Sequence, residues 1–157
     1  MRIAGLLVSF LLCFGAGAIG SMATRRAPEV YANLVRPSWA PPSGVFAPVW
    51  TTLYVLMAIA AWLVWNERGI QSTTGPLILF LVQLALNALW SWLFFAWRRG
   101  RMAEIEVLVL LVLIALTVIA FWRVRPLAGI LMLPYLAWVS YATALTFAIV
   151  RRNPDLL

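Results

Sequence analysis

Polar residues inside the apolar runs of this chain are few, and they recur at helical spacing. Gln83, Asn87, Trp90 and Phe94 stand at i, i+4, i+7 and i+11 and share one face of a helix. Trp50, Tyr54, Met57 and Ala61 repeat that rhythm upstream, and Tyr135, Trp138, Ala142 and Leu145 form a third stripe. An amide in an apolar layer is costly unless it is hydrogen-bonded. Gln83 and Asn87 therefore read in one of two ways: as an interhelical bond worth about 1 kcal/mol, or as groups that orient a ligand. Phenol and indole groups at the same depth, Tyr135 and Trp138 included, also call for partners. The chemistry open to these stripes is ring stacking and hydrogen bonding.

Other chemistries are closed by composition. There is no His and a single Cys, Cys13. His/Cys metal centres, Ser–His–Asp triads and histidine-ligated haem are thereby excluded, as is an intramolecular disulfide. All 12 basic residues are Arg, so Schiff-base and P-loop lysine mechanisms are excluded too. No acidic or basic residue falls in the middle of an apolar run, which argues against an acid-relay proton-coupled pump.

The elements that must position the stripes are membrane helices. Of 157 residues, 64% are hydrophobic and 11% charged, with a mean hydropathy of +0.95, far from a soluble domain with about 25% charged residues. Five apolar stretches can be marked, 3–23, 44–65, 76–97, 105–122 and 127–150, each about the 20 residues a spanning helix needs. Arg2 and the Ala16-Gly17-Ala18 segment resemble a signal peptide, but apolar character continues through Ile19 and Met22, which suits a retained helix. Gly15, Ala16, Gly17, Gly20 and Ser21 offer small-residue spacing for close helix packing. The fourth stretch, with Thr117 as its one internal polar residue, reads as lipid-facing, and Glu104 and Glu106 at its start as dipole-stabilising. Arg25, Arg26, Arg36, Arg98, Arg99, Arg101, Arg151 and Arg152 lie on one side and Arg2, Arg68, Arg123 and Arg125 on the other. This bias places the C-terminus in the cytoplasm. The net charge of +7 then reflects topology and contact with membrane lipids, with no nucleic acid as partner. The whole chain, 1–157, reads as one all-α domain.

The connection over residues 24–43 is the longest, and Pro37, Pro41 and Pro42 make its second half stiff and extended. It reads either as a lid over a cavity between helices or as an interfacial anchor carrying Trp39. Of the nine Trp, Trp62, Trp65, Trp92, Trp97 and Trp122 lie near span ends and read as anchors, whereas Trp50, Trp90 and Trp138 share faces with the polar stripes.

Taken together, Trp39-Ala40-Pro41-Pro42, Pro48-Val49-Trp50, Gln83-Leu84 with Asn87-Ala88-Leu89-Trp90, and Pro134-Tyr135-Leu136-Ala137-Trp138 with Ala142-Thr143 and Leu145 resemble the TspO/translocator protein family, formerly the peripheral-type benzodiazepine receptor. The similarity runs in order along almost the whole chain. It implies a five-helix transmembrane bundle, a homodimer, and a long first loop acting as a lid over a cavity. It also implies binding of porphyrins such as protoporphyrin IX, of sterols such as cholesterol, and of benzodiazepine-type ligands. Carried over by position, the ligand site comprises Tyr31, Trp39, Pro41, Trp50, Tyr54, Gln83, Asn87, Trp90, Trp138, Ala142, Leu145 and Phe147, to which the third stripe adds Tyr135. On this resemblance Gln83 and Asn87 turn toward the ligand. Thr146 stands where members often have Asn, and Phe147 where some bacterial members have Trp. Light-dependent porphyrin breakdown in some members is linked to Trp at the positions of Trp50 and Phe147. Only Trp50 is present here, which weakens the case for that activity.

The expectation is thus a multi-pass bacterial membrane protein that binds a tetrapyrrole or another flat hydrophobic molecule, to sense or traffic it, without a required cofactor. Arg25, Arg26 and Arg36 are candidates to pair with propionates. Without His, metal-free porphyrin suits the chain better than haem. The alternatives are a light- and oxygen-dependent porphyrin-degrading enzyme, with Trp50 as the catalytic residue, and a porphyrin or sterol transporter.

Overall fold

An apolar segment in lipid must satisfy its own backbone, and a helix does so within one segment. The computed structural model describes residues 2–157, with the side chains at positions 2 and 68–71 outside the description, and is helical almost throughout. Arg2 and Arg68, two of the charges counted above, therefore fall outside the described side chains. The helices are α1 (Arg2–Ala23), α2 (Ala27–Asn33), α3 (Phe46–Ser91), α4 (Gly100–Val124) and α5 (Pro126–Arg152). A 3-10 turn, Ser43–Val45, leads into α3, and a π-helical turn, Trp92–Ala96, ends it. Among the described residues, five segments are long and apolar enough to cross a membrane: Ile3–Ala23, Ser43–Glu67, Ser72–Ala96, Gly100–Val124 and Pro126–Arg152.

Two of those segments belong to α3. A straight helix would hold Tyr54 and Asn87 roughly 50 Å apart at 1.5 Å per residue, yet Asn87 Nδ2 donates to Tyr54 Oη over 2.9 Å. The chain therefore doubles back between Tyr54 and Asn87, and α3 is two antiparallel arms. α1 packs against α3, and α4 and α5 pack against each other and against α3.

Several boundaries differ from the sequence expectation. The helices outrun the apolar stretches: α3 runs from Phe46 to Ser91 across the two stretches 44–65 and 76–97, and α4 and α5 cover Gly100–Val124 and Pro126–Arg152, where 105–122 and 127–150 are apolar. Charged residues do not stop a helix at the edge of the apolar layer, because Arg and Glu are good helix formers and long side chains can reach out to water. The connection expected over 98–104 shrinks accordingly, and Glu106 becomes the seventh residue of α4 instead of an end residue. It is buried, and neither carboxylate oxygen has a hydrogen-bond partner, so the dipole account of Glu104 and Glu106 is set aside. α4 is also not merely lipid-facing. Ala103, Val107, Leu110, Ile114, Val118 and Phe121 form a buried stripe, while Ile105, Val112 and Ile119 face outward.

Burying Leu against Leu gains little inside a bilayer, so close packing must hold such a bundle. Small residues allow it. A Cβ at Gly129 would lie 2.8 Å from the Trp122 ring and 3.0 Å from its Cα, and one at Gly17 2.8 Å from the Tyr54 ring. One buried cluster centres on Met57, Phe80, Ile114, Phe121, Met132 and Tyr135. A second, at the end of the bundle that carries α2, holds Tyr31, Leu34, Leu93, Phe94, Leu145 and Ile149.

Candidate functional site

Next to the second cluster lies a cavity of about 330 Å³, within the range of about 300–1,000 Å³ typical of ligand sites. Each helix but α4 contributes to its wall. α1 supplies Gly17, Gly20 and Ser21, at i, i+3 and i+4, and Thr24 follows just past its end. These residues carry almost no side-chain bulk, which leaves a flat face. α2 supplies Ala27, Pro28 and Tyr31, with Ser43 and Phe46 beyond it. The arms of α3 bring Trp50 and Tyr54 against Asn87, Trp90 and Ser91, and α5 brings Trp138, Ala142, Leu145, Thr146 and Ile149.

α2 forms inside the connection expected to be loop. Pro28 in its first turn carries the fixed backbone angle that suits a helix start, and Glu29 complements the dipole there. The proline stretch behind it is extended, as its composition requires, but it does not face the cavity. The Pro41 carbonyl accepts from Tyr31 Oη at 2.9 Å, and the Trp39 carbonyl accepts from Tyr141 Oη at 2.9 Å. The first connection thus walls the cavity with α2 and braces that wall with its prolines.

The π-helical turn serves the same site. Its wide winding, closed by Trp97 N donating to Trp92 O at 2.8 Å, lets the consecutive residues Phe94 and Phe95 both reach the cavity. Arg98 then adopts φ 51°, and Arg99 N returns to Leu93 O at 2.8 Å.

Of the residues expected at the site, Tyr31, Trp50, Tyr54, Asn87, Trp90, Trp138, Ala142 and Leu145 line the cavity. Five do not. Gln83 is fully buried below it, where its Oε1 accepts from Tyr135 Oη at 2.8 Å. Tyr135 lies behind the wall, its ring 6.2 Å from that of Trp50. Trp39 is half exposed, edge-on to Tyr141 at 5.7 Å, and Pro41 acts through its carbonyl. Phe147 packs on the core with the Arg151 guanidinium 5.9 Å from its ring centre. Arg25 and Arg26 are exposed between the lining residues Thr24 and Ala27, and the Arg36 guanidinium sits 4.7 Å over the Tyr31 ring. Burial pushes the Tyr31 hydroxyl above its ordinary range while nearby Arg36 pulls it down, so at neutral pH it is a phenol that donates to Pro41.

Sequence patterning missed the α1 wall, α2, Phe46, Phe95 and Ile149. The signal for α1 was present in Gly17, Gly20 and Ser21, whose spacing marks one helix face. Phe95 had none, because a 3.6-residue period turns it away from Phe94.

These features define a class, a membrane bundle of five spans with an aromatic cavity at one end. The TspO/MBR family model matches residues 9–152, and the chain belongs to that family. It is 38% identical over 148 residues to the tryptophan-rich protein TspO of Chlorobaculum tepidum, covering 91% of this chain and 92% of the relative. It is 42% identical over 125 residues to the translocator protein of Homo sapiens, covering 78% and 74%. The tryptophan-rich sensory protein of Cereibacter sphaeroides is 38% identical over 148 residues, covering 94% and 91%. The chain is an integral, multi-pass membrane protein.

Proposed function

We propose that the cavity binds a flat, largely apolar tetrapyrrole of the protoporphyrin IX type, and that the protein senses or traffics it. The observation that carries this reading is the lining itself. Trp50, Tyr54, Trp90, Phe94 and Trp138 surround the space, with Asn87 as the central amide and the glycine face of α1 as a flat wall. Each aromatic contact with a macrocycle adds about 0.5–1.5 kcal/mol beyond burial. A volume near the lower end of the ligand-site range keeps the propionate edge of such a ring at the rim, where Arg25, Arg26 and Arg36 provide guanidinium forks. Without His, a metal-free ring suits the site better than haem.

The test is a titration of the purified protein with protoporphyrin IX, in darkness and in light, following Trp fluorescence. Saturable quenching that weakens in Trp50→Ala and Trp138→Ala is expected. Absence of quenching at micromolar porphyrin would sink the proposal. One observation favours a second, enzymatic reading. Trp50 is in ring contact with two tyrosines, Tyr54 at 5.6 Å and Tyr135 at 6.2 Å, which places three oxidisable side chains together. A new absorbing product formed only in light would move the assignment to that reading. Porphyrin appearing in the medium only on expression would move it to transport. The arginine-rich end, which carries α2 and the C-terminus, faces the cytoplasm in this reading.

A further inference from the structure

The wall of the cavity formed by α2 is held from the far end of the chain. Asn153, just after α5, is 4% exposed and uses its whole amide. Its Oδ1 accepts from Val35 N–H at 2.8 Å, and its Nδ2 donates to the Val35 carbonyl at 3.0 Å. The same Nδ2 donates to the Ile149 carbonyl at 2.8 Å, and Ile149 itself lines the cavity. Val35 lies one residue beyond Leu34, the residue that closes α2, and its own side chain is 59% exposed. The grip is therefore on the backbone alone. By comparison, Tyr31 and Tyr141 each give the connection a single hydrogen bond, to the carbonyls of Pro41 and Trp39.

We propose that Asn153 is the anchor that sets the position of α2 over the cavity, and hence a positioning residue for the release of whatever the cavity holds. Only a short amide can do this. Asp offers no donor, a hydrocarbon offers neither group, and each would leave backbone groups of Val35 or Ile149 unpaired in a buried place. Asn153 is not itself a lining residue and meets Ile149 only at its backbone carbonyl, so it governs how often the wall opens and not what the wall contacts. The effect on ligand release rests on the tetrapyrrole reading; the effect on α2 does not.

The test has two arms. In detergent micelles, amide hydrogen exchange of Asn153→Ala should quicken by about tenfold or more over residues 31–42, because both bonds that hold Val35 are lost. Exchange in α1, α4 and α5 before its last turn should be unchanged. Asn153→Asp, which keeps the acceptor for Val35 N–H, should fall between, and Val35→Ala should match the wild type. Unaltered exchange over 31–42 overturns the proposal, as does a rise spread evenly across the bundle. In the second arm, stopped-flow recovery of Trp fluorescence should show protoporphyrin IX leaving Asn153→Ala about tenfold faster than wild type. If the wild type binds no porphyrin, the tetrapyrrole reading falls alone and the exchange arm still decides the anchor.

Discussion

Two amide–tyrosine pairs sit one helical turn apart on the second arm of α3, and they live in different places. Gln83 and Tyr135 are both fully buried and bonded at 2.8 Å. Asn87 and Tyr54 are bonded at 2.9 Å and both line the cavity. The chemistry of the two pairs is nearly the same; what differs is whether the surrounding helices close. Around Gln83 they do, with Phe80, Leu84 and Val139 buried. Around Asn87 the glycine face of α1 leaves space, and the π-helical turn, Arg98 and the proline stretch add backbone irregularity at that end. The polar residue announces cost, and the packing about it decides whether that cost is met by the protein or left open to a ligand.

The sharpest way to break this contrast is Tyr135→Phe. Gln83 Nε2 already lacks a partner, and this change strands Oε1 as well. Leaving a buried group unpaired costs about 1–3 kcal/mol, whereas removing both partners is nearly neutral. Tyr135→Phe should lose about 2 kcal/mol of stability, and Tyr135→Phe with Gln83→Leu should regain most of it. Unfolding in a detergent titration measures both. Porphyrin affinity of the folded protein should stay within about twofold of wild type, since affinity changes track lost contacts. A large loss of affinity at unchanged stability would instead put Tyr135 in the site.

The converse substitution is Trp50→Ala. It removes one ring from the cavity wall, at about 1.4 kcal/mol or tenfold in porphyrin affinity. Stability should move less than for Tyr135→Phe, because the ring already faces open space on one side. Equal losses in the two measurements would erase the distinction between open and sealed regions.

How much of this was legible in the sequence follows the same division. The spans, the stripes and eight of the lining residues follow from hydropathy, helical period and resemblance, all of which describe regular helices. Gln83 and Asn87 could not be separated, because they share a face and differ only in depth, which depends on side chains from other helices. Trp39 and Pro41 belong to the same connection as α2, but their composition does not reveal that they brace the wall through carbonyls. Phe95 escaped because the π-helical turn breaks the period used to place it. The buried state of Glu106 depended on where α4 begins, and apolar composition locates that start poorly.

The smallest expected effect concerns that irregular backbone. Arg98, at φ 51°, follows the π-helical turn, in a region that costs a non-glycine residue about 1–2 kcal/mol. Glycine would relieve this cost but would give the unfolded chain more freedom, worth about 0.4–1 kcal/mol in the other direction. Relief exceeds the entropy loss, so Arg98→Gly should stabilise the protein by about 0.5–1 kcal/mol. The side chain is exposed and off the cavity lining, so porphyrin affinity should not change. Detergent unfolding and the fluorescence titration check the two halves. Greater stability with unchanged binding would show that the turn's shape serves the cavity and its residue type does not. Lower affinity would show instead that the open end depends on Arg98 being held under strain, and the contrast between the two regions would then extend from packing to the backbone itself.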